Sequence, residues 1–183
     1  MQISVTFRNI EPSDALRDYA TEKIERLSKY VTLPADAHVV LAKHKYRNNA
    51  DIKVVSRGIV MRGIENSEDM YSSIDLAVDK IERQARKYKD KIRDYEPVSL
   101  GEEIRVRHEV LEKESLEEDQ GPRIIDSEEY QAKPMSVEEA VMQMDLMNSD
   151  FLVFTNSTTK DVNVIYRRRD GNIGLIDAKK PND

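Results

Sequence analysis

The sequence predicts an α+β protein of two small domains, a β-α-β-β-β-α sandwich followed by a β-α-β-β-β unit. Three observations carry that expectation. Apolar residues alternate at period two in several short runs, and they recur at helical spacing in longer ones. An acidic segment bounded by Gly and Pro separates two such series. The expected domains are 1–96 and 122–183, joined by a flexible acidic linker over 97–121.

Ile3, Val5 and Phe7 alternate with Ser4, Thr6 and Arg8, the period of a half-buried strand. Pro12, Ser13 and Asp14 open a helix with Ser13 as its N-cap. Leu16, Ala20, Ile24, Leu27 and Val31 form its buried stripe, and Leu33-Pro34 stops it. Runs at 38–46, 50–56 and 59–64 read as an antiparallel meander, turning at Asn48-Asn49 and at Arg57-Gly58. A second helix starts near Ser67, Glu68 and Asp69 and carries Met70, Ile74, Ala77, Ile81, Ala85, Tyr88 and Ile92 inward. Both helices are expected on one face of the sheet.

The second domain opens with a strand at Arg123, Ile124, Ile125 and Asp126. Ser136 and Glu139 then form a capping box, with Met135 placed to staple onto Ala140. Ala140, Val141, Met144 and Met147 supply the buried stripe of that helix. Three strands follow, at 151–154, 162–166 and 173–176, with Asp170-Gly171 making the last hairpin turn. A unit of about sixty residues buries a limited share of its surface. Its strands are apolar on both sides, and one helix covers only one face. Pairing with a second copy would bury the other face; packing against the first domain is the alternative.

Charge is unevenly distributed. The 183 residues sum to −6, but the first domain is +2, the linker −5 and the second domain −3. From Lys80 to Arg93 seven basic residues face two acidic ones. Lys80, Arg83, Lys87 and Lys91 fall 3, 4 and 4 apart, which stacks them along one helical face. Complementing the helix dipole accounts only for cations in the last turn. A phosphate-facing surface accounts for the whole stripe, because cations so spaced displace counterions along a nucleic-acid backbone. The start of that helix is acidic, and no aromatic RNP pattern is present, so the surface suits phosphates of a folded RNA read by shape.

Other classes of function lack their residues. Without cysteine there is no disulfide, thiolate ligand or thiol nucleophile, a pattern that fits a reducing compartment. His38 and His44 share a side of one strand but lack further ligands at metal spacing, and no metal or cofactor is expected. No phosphate-binding loop, dinucleotide turn or nucleophile elbow occurs, so neither an enzyme nor a small-molecule substrate is expected. The longest uncharged stretch is too short for a membrane span, and the N-terminus lacks the tripartite pattern of a secretory signal.

Several segments carry a family likeness. They are 14–20, 68–77 with Lys80, Ile81, Glu82, Arg83 and Gln84, 133–140, Asp150 with 151–154, and 164–171 with Gly174, Leu175 and Ile176. Together the chain resembles the long form of the bacterial ribosome hibernation promoting factors, related to the ribosome-associated inhibitors. The resemblance implies a cytoplasmic, non-enzymatic translation inhibitor. Its first domain would dock in the small-subunit channel used by mRNA and tRNA, and its second would pair two ribosomes. It implies rRNA contacts by Lys80, Arg83, Gln84, Lys87 and Lys91, with Arg86 and Lys89 beside them and Lys23, Arg26 and Lys29 on the first helix. It implies a homodimer interface at Phe151, Phe154, Val164 and Tyr166. The turn at Arg57-Gly58 is shorter than the family pattern leads one to expect. The alternative is a general structured-RNA-binding protein or RNA chaperone.

Overall fold

The computed structural model describes residues 1–44, 46–94, 104–113 and 122–178. Its contacts divide the chain into two units, Met1–Pro97 with Glu138–Leu152, and Val98–Val137 with Val153–Asp183.

The first unit is built on a four-stranded sheet ordered β1 (Gln2–Arg8), β2 (Ala35–His44), β3 (Arg47–Ser56) and β4 (Ile59–Ser67). β1 lies parallel to β2, as the intervening helix requires, and the remaining pairs are antiparallel. Rows of facing residues explain the core. Val5, Val39, Ile52 and Gly63 form one row, and Ile3, Ala37, Val54 and Met61 the next, all on the inward face. Two helices cover that face, α1 (Asp14–Glu25), continued by a 3-10 turn over Arg26–Lys29, and α2 (Met70–Lys87). Ser13 caps α1 through its hydroxyl, as expected. Asp69 caps α2, and the Ser72 N–H holds its carboxylate below the ordinary value. Ile74, Ile81 and Ala85 carry the buried stripe of α2 into the sheet.

Two local expectations change, and the turn expected at Arg57-Gly58 is present. The β2–β3 turn falls before Arg47, not at Asn48-Asn49, because both asparagines belong to the ladder and spend their side chains there. Asn48 donates to the Glu68 carbonyl at 2.8 Å and Asn49 to the Asn66 side chain at 2.9 Å. The second helix is not continuous to Ile92. Tyr88 leaves helical geometry with ψ of 14°, and a short α3 (Lys89–Asp94) follows. Arg57 and Gly58 both take positive φ (47° and 84°), so the β3–β4 hairpin closes on a two-residue turn that matches strand twist.

In the second unit β5 (Ile104–Leu111) pairs antiparallel with β6 (Ile124–Ala132) as a two-stranded ribbon. Part of the linker expected over 97–121 is therefore a strand, and 97–103 and 114–121 lie outside the described residues. Ile104, Val106 and His108 alternate with Arg105 and Arg107, a period that the acidic bias of the segment conceals. β6 extends the strand expected at 123–126, but it joins this ribbon and not the second sheet. That sheet runs β10 (Ile173–Asp177), β9 (Val162–Arg167), β8 (Phe151–Asn156) and β7 (Pro134–Met135). Gly171 at φ 85° makes the expected turn, and the Asn172 N–H donates to the Asp170 carboxylate at 3.0 Å.

The expected helix over the capping box is α4 (Val137–Leu146), which starts directly after Ser136. By its contacts Glu138–Leu152 belongs with the first unit, although the sequence reading kept it in the second domain. The cause is apolar. Met142 and Leu146, one turn apart, lie in the same buried cluster as Ile81, Ala85 and Ile92. The expected stripe named Ala140 and Met144, which are also fully buried but stand outside that cluster.

Candidate nucleic-acid interface

Helix geometry sorts the ionic residues of α2 onto two flanks. Asp75, Asp79, Glu82 and Arg86 recur at 4, 3 and 4 on the flank facing α1 and the 3-10 turn. Lys80, Gln84 and Lys87 recur at 4 and 3 on the opposite flank, and Arg83 lies on the exposed crest between them. Of the ten expected rRNA contacts, the structure thus gathers four along one side of α2. Lys91 belongs to α3, and Arg86 belongs with the α1 flank.

On that α1 flank the cations are already engaged. Lys23 meets the Asp75 carboxylate at 2.5 Å and lies 4.7 Å from the centre of the Tyr19 ring. The hydrogen bond to Asp75 is the first cause that raises its pKa. Arg86 pairs with Glu82, donates to the Tyr30 hydroxyl at 2.7 Å and stacks 5.1 Å over the Tyr30 ring. The Tyr30 hydroxyl donates to Glu82 at 2.9 Å, which with Arg86 holds that carboxyl below its ordinary value. Arg26 pairs with Glu22 at 2.6 Å, and Lys29 is exposed.

The opposite flank is more positive, and α4 meets its C-terminal part at Gln84 and Lys87. Lys80 reaches Glu65 at 3.1 Å. Arg83 donates to the Asp79 carbonyl at 3.3 Å, leaving its charge toward solvent. Gln84 donates through Nε2 to the Asp145 carbonyl at 2.8 Å, while its Oε1 is buried without a hydrogen-bond partner. Lys87 faces the Asp145 carboxylate at 3.4 Å, and the Tyr88 hydroxyl donates to the same group at 2.5 Å. Proximity to Tyr88 is the first cause that raises the Lys87 pKa. Lys91 reaches Glu138 at 3.7 Å, and Lys89 is exposed. Sequence reading missed Asp145, Gln143 and Glu138, because nothing in the local pattern of α4 reports which surface it meets.

The expected pairing residues divide between two faces. On β8, Phe151 and Val153 point one way and are half-buried; Leu152 and Phe154 point the other way and are buried, Phe154 fully. On β9, Val164 and Tyr166 are half-buried and lie opposite Ile176 and Gly174. The Tyr166 ring covers Gly174 so closely that a Cβ there would fall 2.3 Å from it. β10 is an edge strand whose Ile173, Leu175 and Ile176 are exposed. Among the described residues no cluster of metal ligands occurs, and no helix is long and apolar enough to cross a membrane.

Comparison with known proteins adds independent findings. Residues 3–93 match the family described as sigma 54 modulation protein / S30EA ribosomal protein, and residues 119–175 match its C-terminal domain. The ribosome hibernation promotion factor of Bacillus subtilis (strain 168) is 33% identical over 186 residues, spanning 97% of this chain and 98% of the relative. The crystal structure of the Thermus thermophilus Protein Y N-terminal domain has 35% identity and a TM-score of 0.45, covering 48% of this chain and 99% of its own. A ribosomal subunit interface protein from Coxiella burnetii has 28% identity and a TM-score of 0.44, covering 49% of this chain and 99% of its own. With both family domains present and a relative aligned along nearly the full length, the chain belongs to the non-enzymatic ribosome hibernation promotion factor family, in its long form.

Proposed function

We propose that this protein docks its first unit on the small ribosomal subunit, in the channel used by mRNA and tRNA, and so inhibits translation in the cytoplasm. The observation that carries the reading is the positive flank of α2, with Lys80, Gln84 and Lys87 in one line and Arg83 at its crest. A row of cations on a helix can displace counterions from the backbone of a folded RNA, and membership of a ribosome hibernation family supports ribosomal RNA as that partner. Lys89 and Lys91 extend the row through α3; Lys23, Arg26, Lys29 and Arg86 flank it on the other side.

The C-terminal unit then pairs with a second copy and joins two ribosomes. An edge strand with Ile173, Leu175 and Ile176 exposed supports this, since uncovered apolar edges recruit another chain. Phe151, Val164 and Tyr166 are half-buried and accessible to a partner, whereas Phe154 is fully buried on the opposite face of β8.

Sucrose-gradient sedimentation of ribosomes with and without the protein tests both parts. The expected result is co-sedimentation with the small subunit and a new ribosome-dimer peak. Ile176→Asp should abolish the dimer peak and keep co-sedimentation. Equal affinity for naked structured RNA and for subunits would instead favour the general RNA-binding reading.

A further inference from the structure

The positive flank of α2 is occupied in the free chain. α4 meets its C-terminal half, and polar groups of α4 face Gln84, Lys87 and Tyr88 there and Lys91 on α3. Asp145 takes Lys87 and Tyr88 on its carboxylate and Gln84 on its carbonyl, and Glu138 takes Lys91. Gln143 seals the neighbouring edge of the sheet. Its Nε2 donates to the Val60 carbonyl at 2.7 Å, and its Oε1 accepts from the Val60 N–H at 3.3 Å, so one side chain imitates a pairing strand.

The contact also carries a built-in cost. Gln84 Oε1 is buried and unpartnered while its Nε2 is committed to Asp145. A buried acceptor without a donor disfavours the state that contains it, and departure of α4 would return it to solvent or to a new donor. Moreover α4 lies within the segment that matches the C-terminal family domain, 119–175, although it packs with the first unit.

We propose that α4 is a removable cover whose carboxylates stand in for RNA phosphates, so that α4 and rRNA exclude one another at Gln84, Lys87 and Lys91. The inference rests on the docking reading given above and adds its regulation. Binding to the subunit requires α4 to leave, and by reciprocity anything that draws α4 away strengthens binding. The closed state lowers apparent affinity by the fraction of molecules that are open.

Two measurements on the full chain test this. The first is affinity for purified bacterial small ribosomal subunits, comparing the wild type with Gln143→Ala/Asp145→Asn. The variant should bind about tenfold tighter, as expected if about a tenth of the wild-type molecules are open. The second uses the absence of native cysteine to place a donor and an acceptor dye at Glu11→Cys and Asp150→Cys, both exposed. Energy transfer should fall when subunits are added to the otherwise wild-type chain. If the wild type and the variant bind equally and energy transfer is unchanged in the complex, the cover is wrong and the docking reading stands. If neither protein binds subunits, both fall. Binding by the variant alone supports the cover in its strongest form.

Discussion

At the scale of the residue, the outcome is often decided by what a side chain lacks. Gly63 is where α2 crosses β4, and a Cβ there would lie 2.4 Å from the Ala77 carbonyl oxygen and 3.1 Å from Ile81. The obstacle is backbone, which cannot swing aside. Gly63→Ala is therefore expected to destabilise the fold by about 1–3 kcal/mol, read from the urea midpoint. Glu82 shows the opposite economy, one carboxylate serving Tyr30 and Arg86 together. Its pKa is depressed by the Tyr30 hydrogen bond first, so its contribution is present above the ordinary carboxylate value and fades as pH falls through the lowered one. Glu82→Gln should lower stability at pH 7, and the gap from wild type should narrow as pH falls below the ordinary carboxylate value, as denaturant titrations at neutral and at acidic pH would reveal.

At the scale of the element, α2 carries most of the functional argument. Its starting region, its buried stripe from Met70 to Ala85 and the spacing of Lys80, Arg83 and Lys87 are legible in the sequence, because each depends on the period of a single helix; the break at Tyr88 is not. What the period could not give is the division of labour between flanks, since that depends on where α1 and α4 lie. Lys80, Arg83 and Lys87 contribute counterion release if they meet phosphates. Replacing all three by Ala should flatten the slope of log affinity for subunits against log salt by roughly 2–3, measured by fluorescence anisotropy. An unchanged slope would remove α2 from the interface. The β5–β6 ribbon was illegible for a different reason. Its apolar alternation is sparse and sits in a run of carboxylates, so composition pointed to a tether while pairing with β6 made a strand.

At the scale of the whole molecule, order along the chain and order in space part company. The expected sandwich in the first unit is present, with the β1–β2 pair parallel and the meander antiparallel. The domain boundary read from charge and Gly/Pro content could not foresee that Met142 and Leu146 lie in the first unit's apolar cluster, since no local pattern encodes a long-range partner. This has a consequence during synthesis. Helix α4 follows α3 by roughly fifty residues, which at ~5–20 residues per second is several seconds of translation. Throughout that interval the outer edge of β4 is without Gln143, and the first unit is finished only when a late segment arrives. The Val60 amide should accordingly exchange with deuterium faster in a chain ended after residue 96 than in the full-length protein. A newborn copy thus emerges with its cationic helix bare and becomes self-covered only near the end of its own translation.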